Sequence, residues 1–208
     1  MECSHTIHIY LIRHGITEFN VQKKYMGFTD EPVIQERLKE YSALRSELKK
    51  ETMDSVYCSD LIRCQQTARF LFGEQAINLD KRLREISFGD WEGKTYEQLK
   101  HIPAYCNWLS NWETESIPNG EDGQQFRERV MQFMQECVLL ENNVEKNLCI
   151  VSHGGVIRQI VSALCDDLDY WDVHVEFGKA IVLKIKASGG VYTCMSLSVV
   201  PTVENANM

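Results

Sequence analysis

The chain has 208 residues, of which 44% are hydrophobic and 25% are charged, and its formal net charge is −8. This length suits one α/β domain whose folding buries roughly 70% of the unfolded surface, and the hydrophobic content excludes a disordered or fibrous chain. The apolar runs are too short to span a membrane, and an acidic chain without a basic run is a poor candidate for binding nucleic acid.

The first predicted element is a short buried strand, Ile7 to Ile12, which ends at Arg13-His14-Gly15. The residues before it carry no basic segment of the kind that opens a signal peptide, so we expect the protein in the cytoplasm. Leucines and a tyrosine at helical spacing then predict an amphipathic helix over about residues 34–50.

Strands and helices continue to alternate through the middle of the chain. Val56 to Cys58 is predicted to be a second strand, and Ser59 or Asp60 can cap the helix that follows it. Residues 76–79 are a third strand candidate. Thr95 fits a capping box that opens short helical pieces through about residue 112.

The last part of the chain holds the most regular helical pattern. Asp122 is predicted to start a helix with one apolar stripe, formed by Phe126, Val130, Phe133, Cys137 and Leu140. A buried strand at Leu148 to Ser152 leads into His153-Gly154-Gly155 and a helix to about Leu164. Residues 180–187 and 191–199 flank two glycines and predict a hairpin.

This alternation of strands and helices predicts one α/β domain over residues 1–208. Its sheet is expected to be mainly parallel, with helices on both faces and an antiparallel edge contributed by the hairpin. The segment at about 91–123 is predicted to be an insertion, and it is rich in aromatic residues. One hypothesis is a lid that selects the organic part of a substrate; for Trp91 and Trp108, ordinary packing in the core is the favoured alternative.

The chain has eight cysteines, but they form no CxxC pair and have no regular spacing. In a cytoplasmic protein they are expected to be buried free thiols. A disulfide scaffold or a zinc ribbon is not expected.

Two places share one construction, in which a buried strand is followed by a histidine and then a glycine: His14-Gly15 and His153-Gly154. Ligands of a doubly wound sheet bind beyond the carboxyl ends of its strands, where helix N-termini favour anions. Arg13 and Arg63 can supply guanidinium forks for phosphate oxygens, and Asn20 adds a neutral donor. The combination predicts an anion-binding site that contains two histidines.

This set of residues suits phosphoryl transfer. A neutral imidazole can attack phosphorus while cations stabilise the phosphoryl oxygens, so neither a metal nor another cofactor is expected. A carboxylic acid must protonate the leaving oxygen. Glu85 is a reasonable donor, and Asp90 and Glu92 compete for this role.

Four segments resemble motifs of the histidine phosphatase superfamily, in its phosphoglycerate-mutase-like branch. Residues 11–20 resemble the RHG-(E)T-x-x-N motif, and residues 57–68 look like the S-x-L-x-R-x-x-QTA segment. Residues 83–93 look like L-x-E-x-x-FG-x-WEG, and residues 151–158 resemble the segment around the second histidine. The four occur in family order over most of the chain.

The resemblance implies a role for each matching position. His14 would be the nucleophile that becomes phosphohistidine, and Glu85 would be the proton donor. The phosphoryl group would be bound by Arg13, Asn20, Arg63, His153 and the Gly154 backbone. The fold would be a three-layer α/β/α sandwich, and the expected partner is a small-molecule phosphate monoester bound by a monomer or homodimer, with no metal, nucleic acid or membrane.

The resemblance favours a phosphatase similar to the α-ribazole phosphatases and their broad-specificity relatives, acting on α-ribazole phosphate or a sugar phosphate. A phosphoglycerate-mutase-type transferase and a non-catalytic phosphate-binding module are the alternatives. Ile16 stands where many members have Glu, and Arg37 stands where Gly is common. Both departures affect the choice of substrate rather than the catalytic residues.

Overall fold

The computed structural model describes residues 4–139 and 145–202 and contains a six-stranded sheet with helices on both faces. The strand order is β3-β2-β4-β1-β5-β6. Strands β1 to β4 run parallel to one another, and β5 and β6 add an antiparallel hairpin at one edge. The strands are β1 (His5–Arg13), β2 (Ser55–Cys58), β3 (Asn78–Leu79), β4 (Lys146–Ser152), β5 (Ala180–Ser188) and β6 (Val191–Val200).

Seven α-helices accompany the sheet in the described part of the chain. They are α1 (Glu18–Val21), α2 (Ser42–Leu48), α3 (Ile62–Phe72), α4 (Tyr96–Leu99), α5 (Pro103–Ser110), α6 (Gly123–Phe133) and α7 (Gly154–Leu164). Short 3-10 helices span 35–41, 81–83 and 89–91, and a π-helical turn spans 134–138. No helix within residues 4–139 and 145–202 is both long and apolar enough to cross a membrane.

Strand β1 shows why the sheet is covered on both faces. Its side chains alternate in direction, as in any strand. Ile7, Ile9 and Leu11 belong to a buried cluster that includes side chains of α6 and α7. Tyr10 and Ile12 belong to a second cluster that includes side chains of α2 and α3. The three-layer α/β/α sandwich with a mainly parallel sheet is therefore confirmed.

Several element boundaries differ from the sequence prediction. The helix expected over about 34–50 is a 3-10 helix at 35–41 followed by α2; buried Leu38, Tyr41 and Leu44 are spaced by three, which suits the tighter helix. The strand expected at 76–79 is limited to Asn78–Leu79. The prediction that Ser59 or Asp60 caps α3 is wrong, because Leu61 is the N-cap. The first N–H of the helix, that of Ile62, donates to the Asp30 carboxylate at 2.6 Å.

The predicted caps at Thr95 and Asp122 are confirmed, and both have the reciprocal bonds of a capping box. The stripe of α6 is buried at Phe126, Val130 and Phe133, while Leu140 lies outside the described residues. The hairpin at 180–188 and 191–200 is also confirmed. Trp91 and Trp108 are 3% and 5% exposed, so both rings pack in the core. The favoured prediction for these two residues, ordinary core packing, is therefore confirmed.

The cysteines are only partly as expected. Cys58, Cys64 and Cys149 are buried free thiols, but Cys106 is exposed and Cys137 is half-buried. Cys165 and Cys194 form a disulfide with a Cα–Cα separation of 5.3 Å, which corrects the expectation that every cysteine is free. The reason is topological: β6 returns along the sheet to the C-terminal end of α7, and sequence spacing alone does not reveal that proximity. Cys3 lies outside the described residues.

Candidate active site

The two histidines predicted from the strand-His-Gly pattern lie side by side. Strands β1 and β4 are parallel neighbours, with Arg13 paired to Ser152, so His14 and His153 follow adjacent strand ends. The His14 backbone N–H donates to the Ser152 carbonyl at 2.9 Å. The two ring centroids are 5.1 Å apart. The sheet itself therefore brings together two residues that are far apart in the sequence.

The protonation of His14 follows from one hydrogen bond. Its Nδ1 lies 2.7 Å from the Gly15 carbonyl oxygen, and a carbonyl can only accept, so Nδ1 carries the hydrogen. The other nitrogen, Nε2, then holds a lone pair. Burial lowers the pKa of His14 well below its usual value, and the charges of Arg63 and Arg13 lower it further. These observations indicate a neutral imidazole whose Nε2 lone pair is available to a ligand.

A chain of buried hydrogen bonds holds the backbone around this histidine. The Gly15 N–H donates to the Thr67 hydroxyl at 2.7 Å, and that hydroxyl donates to the Arg63 carbonyl at 2.7 Å. On the other side, the Tyr41 hydroxyl lies 2.8 Å from the His14 carbonyl. These bonds join the end of β1 to α3 and fix the position of His14 relative to Arg63.

His153 lies just before the first turn of α7 and is 1% exposed. Its Nε2 lies 3.0 Å from the Ser59 hydroxyl and 3.4 Å from the Cys64 thiol, so the ring orientation is fixed. Burial, together with the charge of Arg63, lowers its pKa well below the usual value. Sequence reasoning placed Ser59 in a motif and as a helix cap, but gave it no role at the site. Its position directly after β2, at the same sheet edge as both histidines, is the signal that could have identified it.

Two guanidinium groups converge on the same edge. Arg63 is fully buried; its two terminal nitrogens donate to the carbonyls of Gly27 and Thr29 at 2.7 Å each, while its Nε has no partner. Arg13 lies with its guanidinium 4.1 Å from the centre of the Phe177 ring, and its buried Nε also has no partner. Burial lowers the pKa of both arginines. Two buried cationic donors without acceptors are suited to binding an anion.

The loop that holds Arg63 is itself held by a carboxylate. Glu92 accepts from the backbone N–H groups of Phe28 and Thr29 at 2.7 and 2.6 Å. Both of its oxygens are therefore used on the loop whose carbonyls bind Arg63. Exposed Asp90 accepts from the Asn119 amide at 3.1 Å. Neither contact involves the histidines. The contacts of Glu92 and Asp90 therefore give no support to either residue as the proton donor.

Glu85 contacts the N-terminal turn of α7. One carboxyl oxygen accepts from the Gly155 N–H at 2.9 Å, and the other accepts from the Ile86 N–H at 3.1 Å. A Cβ at position 155 would lie 2.2 Å from the Glu85 Oε1, so glycine allows the carboxyl to approach this closely. Of the three candidate acids, Glu85 is the one in contact with the residues that follow His153.

The two remaining predicted phosphate ligands also flank this edge. The Asn20 side-chain oxygen accepts from the Thr17 N–H at 3.1 Å, which leaves its amide NH₂ as the group that can donate to a ligand. Gly154 is the first residue of α7, and a Cβ there would lie 3.7 Å from the guanidinium carbon of Arg13. Of the two departures, Ile16 is buried. The Arg37 side chain is 40% exposed and pairs with Glu40 at 2.6 Å.

A cavity of about 300 Å³ opens beside Glu85 and Gly155. Its wall is largely aromatic, and Arg158 is the cation among its lining residues. Sequence reasoning did not single out Tyr170 or Trp171, because both follow α7 in a segment without a regular pattern. The aromatic residues of the wall are Tyr25, Phe88, Trp108, Trp112, Tyr170 and Trp171.

The depressed histidine pKa values predict that stability depends on pH. Below about pH 6.5 the unfolded chain binds protons at His14 and His153 that the folded chain does not. We therefore expect the free energy of unfolding to fall from pH 7.5 to 5.5, with each histidine contributing a slope of up to about 1.4 kcal/mol per pH unit. Urea unfolding in phosphate-free buffer measures this.

The His153→Gln variant is expected to lose the contribution of one histidine to the pH dependence of the free energy of unfolding. His101→Ala, at an exposed position, is the control and is expected to keep the full dependence. An unchanged slope in His153→Gln would contradict a buried neutral imidazole at this position.

The arrangement brings together a neutral imidazole with a lone pair, two cations with unpartnered donors and one nearby carboxyl. Such a set can accept a phosphoryl group, neutralise its oxygens and protonate a leaving oxygen. Among the described residues, no group of three or more His, Cys, Asp or Glu is placed to hold a metal ion.

Comparisons with known proteins agree with this chemistry. A sequence profile described as the histidine phosphatase superfamily (branch 1) matches residues 9–198. The adenosylcobalamin/alpha-ribazole phosphatase of Escherichia coli strain K12 is 32% identical over 199 residues, covering 87% of this chain and 97% of that protein. Phosphoserine phosphatase 1 of Hydrogenobacter thermophilus is 25% identical over 195 residues, covering 86% and 92%.

The solved structures include close matches to the whole fold. The crystal structure of the alpha-ribazole phosphatase from Shigella flexneri matches with a TM-score of 0.79 at 28% sequence identity. The match covers 91% of this chain and 95% of that one.

Proposed function

The chain belongs to branch 1 of the histidine phosphatase superfamily and is a phosphoric monoester hydrolase, and we propose that it acts on small-molecule phosphate monoesters through a phosphohistidine intermediate on His14. The observation that carries the proposal is the hydrogen bond from His14 Nδ1 to the Gly15 carbonyl at 2.7 Å. This bond leaves Nε2 free on a neutral ring, beside two arginines whose buried Nε atoms have no partner.

In the first step, His14 Nε2 attacks phosphorus and the bond between phosphorus and the bridging oxygen breaks. Arg13, Arg63 and His153 bind the phosphoryl oxygens, where charge develops, with the Asn20 amide and the Gly154 backbone assisting. The phosphorylated ring keeps its Nδ1 hydrogen and becomes cationic, and the Gly15 carbonyl stabilises that charge through the same hydrogen bond.

The leaving oxygen takes a proton from Glu85, so the products of this step are an alcohol and the phosphoenzyme. In the second step water attacks the phosphohistidine while Glu85 takes back a proton. Phosphate is released, His14 Nε2 regains its lone pair, and every group returns to its starting state. The contact between Glu85 and the Gly155 N–H supports this role, since it places the carboxyl beside the residues that follow His153.

The aromatic cavity is proposed to hold the organic part of the ester. It adjoins Glu85 and is large enough for a small molecule, with a wall on which a flat ring can stack. Residues 91–123 form the proposed lid-like insertion of a single domain, and they contribute Trp108 and Trp112 to this wall. α-Ribazole phosphate, which carries a flat base, is the first candidate substrate, and a sugar phosphate is the second.

A panel of phosphate monoesters, assayed with and without EDTA, tests the function. We expect phosphate release from α-ribazole phosphate or sugar phosphates, with no loss on chelation. We also expect an acid-labile, base-stable phosphoenzyme in rapidly quenched samples. Transfer that depends on a bisphosphate primer and releases no phosphate would instead indicate a mutase. Tight phosphate binding without turnover of any ester would indicate a binding module.

The Glu85→Gln variant tests the proton donor. An alkoxide needs protonation as it leaves, whereas p-nitrophenolate does not. We therefore expect kcat/KM for glycerol phosphate to fall by about 100-fold or more, with a much smaller change for p-nitrophenyl phosphate. This ratio reports on formation of the phosphoenzyme, so a slow second step does not obscure it.

Asp90→Asn and Glu92→Gln are the matched controls for Glu85→Gln. A leaving-group dependence that appeared in either of these variants, and not in Glu85→Gln, would move the donor to the segment around Trp91.

A further inference from the structure

The segment that carries Glu85 has no regular structure of its own. Residues 84–88 belong to no helix or strand, so their carbonyls cannot be satisfied by a ladder of backbone hydrogen bonds. The Leu83 carbonyl, directly before this segment, accepts from the Ser152 hydroxyl at 2.7 Å. The position of Glu85 therefore depends on bonds made by residues elsewhere in the chain.

Arg129, on the half-buried side of α6, supplies most of these bonds. One terminal nitrogen of its guanidinium donates to the carbonyls of Arg82 and Arg84 at 2.7 and 2.6 Å, and the other donates to the Glu85 carbonyl at 2.8 Å. Two further bonds, at 2.6 and 2.8 Å, go to the carboxylate of Glu121. All five N–H donors of the guanidinium are thus in use.

Glu121 completes the arrangement from the other side. The carboxylate oxygen that receives one Arg129 bond also accepts from the Ser87 N–H at 2.9 Å, while the Glu121 N–H donates to the Ser87 carbonyl at 3.0 Å. Glu85 is therefore bracketed by contacts at positions 84, 85 and 87. A charge-assisted fork of this kind is both stronger and more directional than a neutral hydrogen bond.

We propose that Arg129 and Glu121 are positioning residues for the proton donor: they hold the backbone of Glu85 so that its carboxyl reaches the leaving oxygen. This inference rests on the proposed role of Glu85. The clamp, meaning Arg129 with Glu121, contacts the chain on both sides of Glu85. Among the described residues, it makes no hydrogen bond to His14, Arg13 or Arg63. Its loss therefore affects protonation of the leaving group before it affects binding of the phosphoryl group.

The test compares two substrates in Arg129→Lys and Arg129→Met. Lysine keeps the positive charge near His153 but has only three donors and no planar fork, so it cannot reproduce five bonds. We expect both variants to lower kcat/KM for glycerol phosphate by about 10- to 100-fold, the effect of a small displacement of a catalytic group. We expect p-nitrophenyl phosphate to be turned over at a rate close to that of the wild type.

Two further variants keep the test decisive if Arg129→Met folds poorly. Glu121→Gln conserves the shape of the side chain and is expected to show the same dependence on the leaving group, more weakly. Arg127→Met, at an exposed position of the same helix, is expected to behave as the wild type. Thermal melting of each variant separates a loss of stability from a loss of positioning.

Combination with Glu85→Gln separates the possible outcomes. If the clamp acts through the donor, adding Arg129→Lys to Glu85→Gln causes no further loss toward glycerol phosphate. Three results would contradict the positioning role of the clamp and leave the donor assignment intact. They are additive losses in the double variant, equal losses for both substrates, and full activity in Arg129→Lys. Absence of any leaving-group dependence in Glu85→Gln itself would instead overturn the proposed donor.

Discussion

Replacement of His14 by alanine is expected to abolish phosphate release, with a loss of at least about 10⁴-fold in kcat, the scale seen when a catalytic nucleophile is removed. A backbone carbonyl fixes the Nδ1 of His14 as the donor, which leaves the lone pair on Nε2 for the proposed attack on phosphorus. We expect rapidly quenched samples of the wild type to contain the phosphoenzyme and samples of this variant to lack it.

The His14→Ala chain is expected to stay folded, because the ring is neutral and its removal leaves no buried ion without a partner. Circular dichroism and thermal melting check this, and His101→Ala, at an exposed position, is the matched control. Retention of more than a few per cent of wild-type activity toward a good substrate would contradict the assignment of the nucleophile.

Replacement of Arg63 by alanine is the second change with a large expected effect. In the proposed mechanism its guanidinium binds phosphoryl oxygens that all substrates share, so we expect kcat/KM to fall for every ester by about 10²- to 10³-fold, or about 3 to 4 kcal/mol. Inorganic phosphate is expected to inhibit the variant more weakly for the same reason. Kinetics with glycerol phosphate and p-nitrophenyl phosphate measure both effects.

Arg69→Ala is the control, since Arg69 lies at the exposed C-terminal end of the same helix. Arg63→Lys adds a second comparison: a single ammonium cannot reach the Gly27 and Thr29 carbonyls and also present a planar fork to phosphate. A loss confined to one substrate would place Arg63 against the leaving group instead.

The fold was largely predictable because its signals are local. Apolar runs defined β1 and β4, and the capping residues Thr95 and Asp122 marked helix starts that depend only on neighbouring residues. The wrong predictions concern features that are determined by contacts between residues far apart in the sequence. Asp60 binds Arg84 at 2.6 Å instead of capping α3, and the partner of Cys165 is set by the path of β6.

The site was predictable for the same reason, but only in part. His14, His153 and Arg63 follow strands whose carboxyl ends share one sheet edge, so the alternation of elements was enough to bring them together. Arg129 and Glu92 carry no comparable local signal. Both bind backbone groups of irregular segments, and the location of such groups is known only when the chain is folded.

The pairing of β1 with β4 also has a consequence for how activity arises during synthesis. The ribosome makes His14 about 140 residues before it makes His153, and the partner strand β4 directly precedes His153. A nascent chain that stops before β4 therefore contains the proposed nucleophile without the histidine and the helix that face it. Closing so long a loop is slow compared with forming local helices. Under the proposed mechanism, phosphate release is expected to begin only when the central strands of the sheet have paired, so its onset would report on that step of folding.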